Sequence, residues 1–377
     1  MGQRTIVRSG DGGRGRAPAV RNRAVRVVAV TGADSFLGRN LVGLLEESAR
    51  VRRIVTLDVA SPPTSGRKTR HYHVDLTAPS VDARLAEVLH AEDVDTVLHL
   101  AFLSRPTHAT AWAHELESVG TMHLLHACRE RRIEKLVTWS LTWLYGPHPD
   151  NPNFLTERHP LRGLPGFSFL ADKIEAEAEI ARFAEKMPAT CVTVLRLAPI
   201  VGPTVHNAFS AYLGRRVVPT VMGFDPLMQF VHEVDALAAF SLAVERDAPG
   251  IFNIVGDGVL PLSTVIRLAG RVGLPLPHSV LSRVGSLLWL SQAWGLPPPL
   301  FDFLRFVCVA DGDRARREMG FRPAYTTREA LLDLVGVLRL REARLLSDPR
   351  DEGGAYARAS ASGSVAPSRA PSRGAEP

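Results

Sequence analysis

The chain has little cysteine, no long apolar run and no evenly spread charge, and each shortage excludes a class of protein. Its 377 residues include three cysteines, Cys128, Cys191 and Cys308. None forms a C-x-x-C pair and none has a histidine at metal-ligand spacing, so neither a disulfide framework nor a zinc site is expected. His123 and His126 share a helix face but have no third ligand at matching spacing, and no metal is expected there either. Scattered thiols fit a reducing compartment, so the expected location is cytoplasmic. The first residues have no apolar stretch of the kind a secretory signal requires, and the apolar pieces elsewhere are too short to span a bilayer.

The net charge of +6 is concentrated at one end. Residues 1–24 hold six arginines against Asp11, whereas from Asp348 onward four acids match four arginines. Both segments are rich in Gly, Ser, Pro or Ala, bury little, and are expected to be disordered tails. The basic leader is the only feature that points to nucleic acid, and no specific nucleic-acid partner is expected. Val284–Ala310 is rich in Leu, Trp and Phe and interrupted by Pro297, Pro298 and Pro299. It reads as two core-facing helices of a second lobe, with a membrane-surface or partner-binding patch as the alternative.

Between the tails, short apolar runs alternate with amphipathic stretches. Val25–Val30, Ile54–Leu57, Tyr72–Val74, Thr96–Leu100, Leu136–Ser140 and Thr190–Leu197 read as strands. Leu37–Ser48, Ala83–His90, Trp112–Arg131 and Phe169–Lys186 read as the helices between them. Such alternation predicts an α/β fold, a doubly wound parallel sheet of Rossmann type over residues 25–200. Parts of 230–255 are expected to return to this domain. A smaller C-terminal substrate lobe is expected over 201–347.

The first strand runs directly into Thr31-Gly32-Ala33-Asp34-Ser35-Phe36-Leu37-Gly38, where a phosphate loop belongs. Gly32 permits the tight turn, Gly38 permits close helix packing, and Ser35 is the small residue where backbone approaches pyrophosphate. Asp58 closes the second strand, placed to accept from the adenosine ribose and to repel a 2′-phosphate, which favours NAD over NADP.

These residues resemble the TGxxGxxG loop of the extended short-chain dehydrogenase/reductases, the NAD-dependent epimerase/dehydratase family. His73-Val74-Asp75-Leu76 resembles that family's adenine-contacting segment, and His99-Leu100-Ala101 its fourth-strand segment beside the cofactor. Leu144-Tyr145-Gly146, Thr156-Glu157 with His159-Pro160, Arg196-Leu197 with Val201-Gly202-Pro203, and Phe230–Asp235 come in the family's order. Asp313–Phe321 resembles its C-terminal helix, so the likeness covers roughly residues 25–340. The resemblance implies NAD held by Gly32, Asp34, Ser35, Phe36, Leu37, Gly38, Asp58, Asp75, Leu76, Leu100 and Ala101. Lys173 would hold the nicotinamide ribose. A nucleotide-sugar-like ligand and a homodimer through Trp112–Arg131 and Phe169–Lys186 are also implied.

The likeness fails at the chemistry. Family members carry a Tyr-x-x-x-Lys pair in which the lysine lowers the tyrosine's pKa. Here Lys173 is present but the tyrosine position is Phe169, which has no ionisable proton. The Ser/Thr position four residues before Tyr145 is Leu141. Met228 stands where an arginine would grip a diphosphate. The apolar replacements resemble an atypical branch of the family. Ser140, Thr142 and Ser168 are the candidate substitutes for the lost catalytic groups, beside Lys173. Two functions stay open: an epimerase, dehydratase or reductase with relocated acid/base groups, or a catalytically silent NAD-binding scaffold or redox sensor.

Overall fold

The computed structural model describes residues 26–292 and 297–343. The two expected tails and the stretch 293–296 lie outside them. A seven-stranded sheet forms the centre. Its strands are β1 (Arg26–Thr31), β2 (Val51–Asp58), β3 (Thr69–His73), β4 (Thr96–His99), β5 (Lys135–Leu141), β6 (Cys191–Leu197) and β7 (Gly250–Ile254). They lie in the order β7-β6-β5-β4-β1-β2-β3 and every pair is parallel. The order reverses beside β1, between β1 and β4, and in open α/β sheets ligands bind outside the strand ends at that point.

All six residues of β1 are buried. That explains the apolar run Val27–Val30 at its centre, since a central parallel strand is covered on both faces. One face is packed by α1 (Phe36–Glu47) and the helix Glu233–Glu245. The other is packed by α2 (Val81–Ala91), α4 (Gly120–Arg131) and α5 (Ser168–Lys186). Two buried cations tie strands β1 and β5 to the chain that returns from the second lobe. Lys135 Nζ donates to the carbonyls of Ala243, Val244 and Arg246 and lies 2.9 Å from Asp247. It thus satisfies the last carbonyls of helix Glu233–Glu245, which have no partner within the helix. Arg26 reaches the same Asp247 at 3.4 Å.

The expected long helix at 112–131 is not uniform. α3 (Thr110–His114) passes through a π turn at Glu115–Val119 before α4. The extra residue of a π turn rotates the helix beyond it, and a 3.6-residue pattern does not register it. It sets Gly120 against Leu76, where a Cβ would come within 3.1 Å of the leucine Cβ.

The chain beyond β6 builds a second core around Phe209, Phe230, Phe301, Leu331 and Leu334. A parallel two-stranded ribbon (Val217–Val221 with Val272–Leu276) and the helices Leu262–Leu268, His278–Leu290 and Thr327–Glu342 enclose it. Among the described residues no helix is long and apolar enough to cross a membrane.

Candidate functional site

The glycine loop lies at the carboxyl end of β1, and its geometry requires its residues. Gly32 has φ +66°, and a Cβ there would fall 2.6 Å from the backbone of Leu100 and Ala101. A Cβ on Gly38 would fall 2.2 Å from the Gly32 carbonyl oxygen. Ser35 caps α1: its Oγ accepts from the Gly38 amide at 3.0 Å. The amides of Phe36 and Leu37 open the helix with no earlier helical carbonyl to bond, and such a helix end attracts phosphate. Ser35 therefore contributes as a cap and leaves these two amides for a ligand.

Asp58 Oδ2 accepts from the Asp34 amide at 2.9 Å, so the acid at the end of β2 fixes the loop it faces. Burial pushes the Asp34 carboxyl above the usual carboxylate range; nearby Arg39 opposes this and Asp58 adds to it. Arg39 Nε lies 3.6 Å from Asp34 Oδ1, so this end of the cleft holds two carboxyl groups and one guanidinium. Asp75 is exposed and accepts from the Thr77 amide and hydroxyl at 2.9 and 2.7 Å, which shapes the turn after β3. Leu76 is buried against Gly120. Leu100 donates its amide to the Thr31 carbonyl at 3.1 Å, and that bond joins the fourth strand's exit to the loop. Behind the loop His99 is fully buried, 2.7 Å from Thr31 Oγ1 and 2.9 Å from Thr121 Oγ1. Burial pulls its pKa down to about 3, so the ring is neutral.

The chemical end of the cleft is built around Lys173. Its Nζ donates to Glu117 Oε1 at 2.5 Å, and both side chains are buried. The rings of Phe169, Phe102 and Trp139 surround the amine, with centroids at 4.6, 5.4 and 5.6 Å. Glu117 Oε1 also accepts the Leu103 amide at 2.6 Å. Burial pushes the Glu117 carboxyl up and the Lys173 amine down, each toward its neutral form. The pair behaves as one titrating unit. Among the described residues, three buried polar atoms around this lysine have no partner: Glu117 Oε2, Asp172 Oδ2 and Trp139 Nε1. Buried polar atoms normally find one. Asp172 uses its other oxygen on His114 at 3.0 Å.

The amine's hydrogen bond goes to Glu117, and the residues expected to replace the lost groups have other surroundings. Ser140 donates to Glu177 Oε2 at 2.6 Å. It belongs to a buried chain in which Arg196 Nε donates to Glu177 at 2.9 Å and Arg196 Nη1 to Tyr145 Oη at 2.8 Å. Tyr145 Oη in turn donates to Asn253 at 2.8 Å, and burial pushes this phenol up. Ser168 is the exposed first residue of α5. Thr142 is buried in the short 3-10 turn Thr142–Tyr145.

Glu117 is the residue that reading the sequence missed. A signal was present: Ala113, Glu117, Thr121, Leu124 and Cys128 form one buried stripe, with an acid where an apolar residue belongs. In the second lobe a cavity is lined by Trp143, Phe209, Tyr212, Met228, Leu300 and Phe303, among other uncharged residues. Trp143 stacks on Phe303 at 4.4 Å.

Residues 28–255 match the model of the NAD dependent epimerase/dehydratase family. An uncharacterized protein of Mycobacterium tuberculosis (strain ATCC 25618 / H37Rv) is 33% identical over 311 residues, covering 82% of this chain and 83% of the relative. The 3-diazoavenalumate denitrifying reductase of a Streptomyces species is 27% identical over 309 residues, covering 79% and 96%. Among solved structures, UDP-glucose 4-epimerase from Thermotoga maritima, bound to UDP-glucose, superposes with TM-score 0.64 at 18% identity, covering 84% of this chain and 99% of that one. MoeE5 in complex with UDP-glucuronic acid and NAD gives 0.64 at 24%, covering 85% and 99%. The nucleotide loop, the 3-2-1-4-5-6-7 strand order and these matches have one explanation: the chain belongs to the NAD-dependent epimerase/dehydratase family.

Proposed function

We propose that this chain is an NAD-dependent oxidoreductase that holds a nucleotide-sugar-like ligand at the nicotinamide end of its cofactor and moves hydride without a tyrosine acid. The Phe36 and Leu37 amides would hold the diphosphate of NAD and Asp58 its adenosine ribose, at the carboxyl ends of the strands. When bound, NAD would supply the hydride acceptor or donor, and the chain would orient it and exclude water. The observation that carries the reading is the set of unpartnered atoms at Lys173: Glu117 Oε2, Asp172 Oδ2 and Trp139 Nε1. Three unmet buried groups around one amine fit a hydroxyl-bearing ligand such as the nicotinamide ribose.

The structural neighbours that hold UDP-glucose or UDP-glucuronic acid support the ligand class. The relative named as a reductase supports hydride transfer as the reaction type. Met228 and the aromatic cavity wall would meet the flat or apolar part of such a ligand, not its charge. The test is purified protein with NAD and a panel of UDP- and dTDP-sugars, read as NADH absorbance and sugar analysis. Turnover that disappears in Lys173→Ala supports the reading; no turnover across the panel overturns it.

A second reading has its own observation. The Phe169 ring lies 4.6 Å from the Lys173 amine, and Ser140 is committed to Glu177. This fits a silent NAD-binding scaffold or redox sensor, which would bind NAD at micromolar concentration and leave every sugar unchanged.

A further inference from the structure

The C-terminal lobe has an apolar face that no described residue covers. Helix His278–Leu290 turns Leu281 and Gly285 inward, and Gly285 is so close to Phe301 that a Cβ would fall 2.3 Å from its ring. Outward, Val280, Val284, Leu287 and Leu290 recur at helical spacing, with Leu287 and Leu290 68% and 74% exposed. A helix that is apolar on both sides belongs between two apolar surroundings. The adjoining ribbon continues the face. Val272 is in register with Val217, so those two and Leu274 point to the same side, and all three are exposed.

The charge around this face is mainly positive. Residues 208–224 and 258–292, which hold both elements, contain Arg215, Arg216, Arg267, Arg271 and Arg283; the acids beside them are engaged locally, Asp302 lying 3.3 Å from His278 at the start of the helix and Asp225 accepting from Ser263. Arg271 turns inward to the Leu213 carbonyl and Glu342; the other four are exposed.

We propose that this face docks on an anionic lipid surface. Aliphatic side chains enter the headgroup boundary while the flanking arginines meet lipid phosphates. A second copy of the chain is disfavoured, because self-association through this face would bring two arginine rims together. A protein partner is disfavoured by the makeup of the ridge: protein hot spots favour Trp, Tyr and Arg at their centre, and this ridge is Val and Leu. The 298–304 turn packs beneath the helix and supplies Leu300 and Phe303 to the apolar cavity, which places that cavity one helix from the bilayer. The proposal does not depend on the hydride-transfer reading.

The test is flotation of the full-length chain with phosphatidylcholine vesicles, with and without phosphatidylglycerol. Binding is expected only to the anionic vesicles, weakening as salt rises. Leu287→Asp with Leu290→Asp is expected to bind at least about tenfold more weakly while keeping the wild-type melting temperature. Leu287→Ser with Leu290→Ser provides a second, uncharged variant should the first unfold. No flotation overturns the proposal. So does flotation unchanged in both variants, which would assign binding to the basic residues 1–24. A dimer in light scattering that the variants dissociate, without flotation, would assign the face to a second copy and overturn it equally.

Discussion

Lys173 and Glu117 are 56 residues apart in sequence and 2.5 Å apart in the fold, each buried and each the other's only ionic partner among the described residues. Breaking a buried pair from one side leaves a charge with no compensation. Lys173→Met and Glu117→Leu should each cost about 3–5 kcal/mol, and the double variant less than their sum. Urea unfolding of the four proteins measures the coupling. Additive losses would mean that the pair does not act as a unit.

Phe169 is placed to receive the missing phenol. Its ring already lies 4.6 Å from the Lys173 amine. Phe169→Tyr should raise NAD-linked turnover of the accepted sugar by roughly a hundredfold, the lower end of what a positioned acid/base group contributes. Steady-state rates over a range of pH on either side of neutrality check this, and a new rise toward high pH is the expected signature.

The neutral His99 makes stability depend on pH. Its folded pKa is about 3 against an ordinary 6.5, so between these values the unfolded chain binds a proton that the folded chain refuses. Stability should therefore be full above the ordinary value and fall as pH drops, by up to about 1.4 kcal/mol per unit from this group. Denaturant melts at about pH 7, 6 and 5 measure the slope. His99→Gln should flatten it.

Gly32 has both constraints a glycine can have, a positive φ and a backbone 2.6 Å from where Cβ would sit. Gly32→Ala should shift the loop against Leu100 and weaken NAD binding at least about tenfold. Calorimetry checks this, with circular dichroism confirming that the sheet persists.

The sequence made the sheet and the nucleotide half legible because their determinants are local. Gly32, Ser35 and Gly38 lie within one loop, Asp58 ends the next strand, and the Phe169 replacement is read against Lys173 one helical turn away. The chemical half depends on distant partners. Glu117 meets Lys173 only because a π turn and α5 pack together. Ser140 looks free beside the strand end, yet it is bound by Glu177, itself held by Arg196. Tyr145 is likewise absorbed by Asn253, 108 residues away. Ser168 is exposed because it begins α5, a boundary that spacing alone locates poorly. No local pattern records these pairings. Lys135 was unreadable for the same reason, since its carbonyl partners come from a helix over 100 residues later.

Every role proposed for this cleft requires a cofactor half that is intact and selects NAD. The most direct test is a calorimetric titration of the full-length chain with NAD and with NADP, repeated on Asp58→Asn. NAD should bind at micromolar concentration and NADP at least about tenfold more weakly, with the gap narrowing in the variant. No heat with either nucleotide, or equal affinity for both in the wild-type chain, would contradict it.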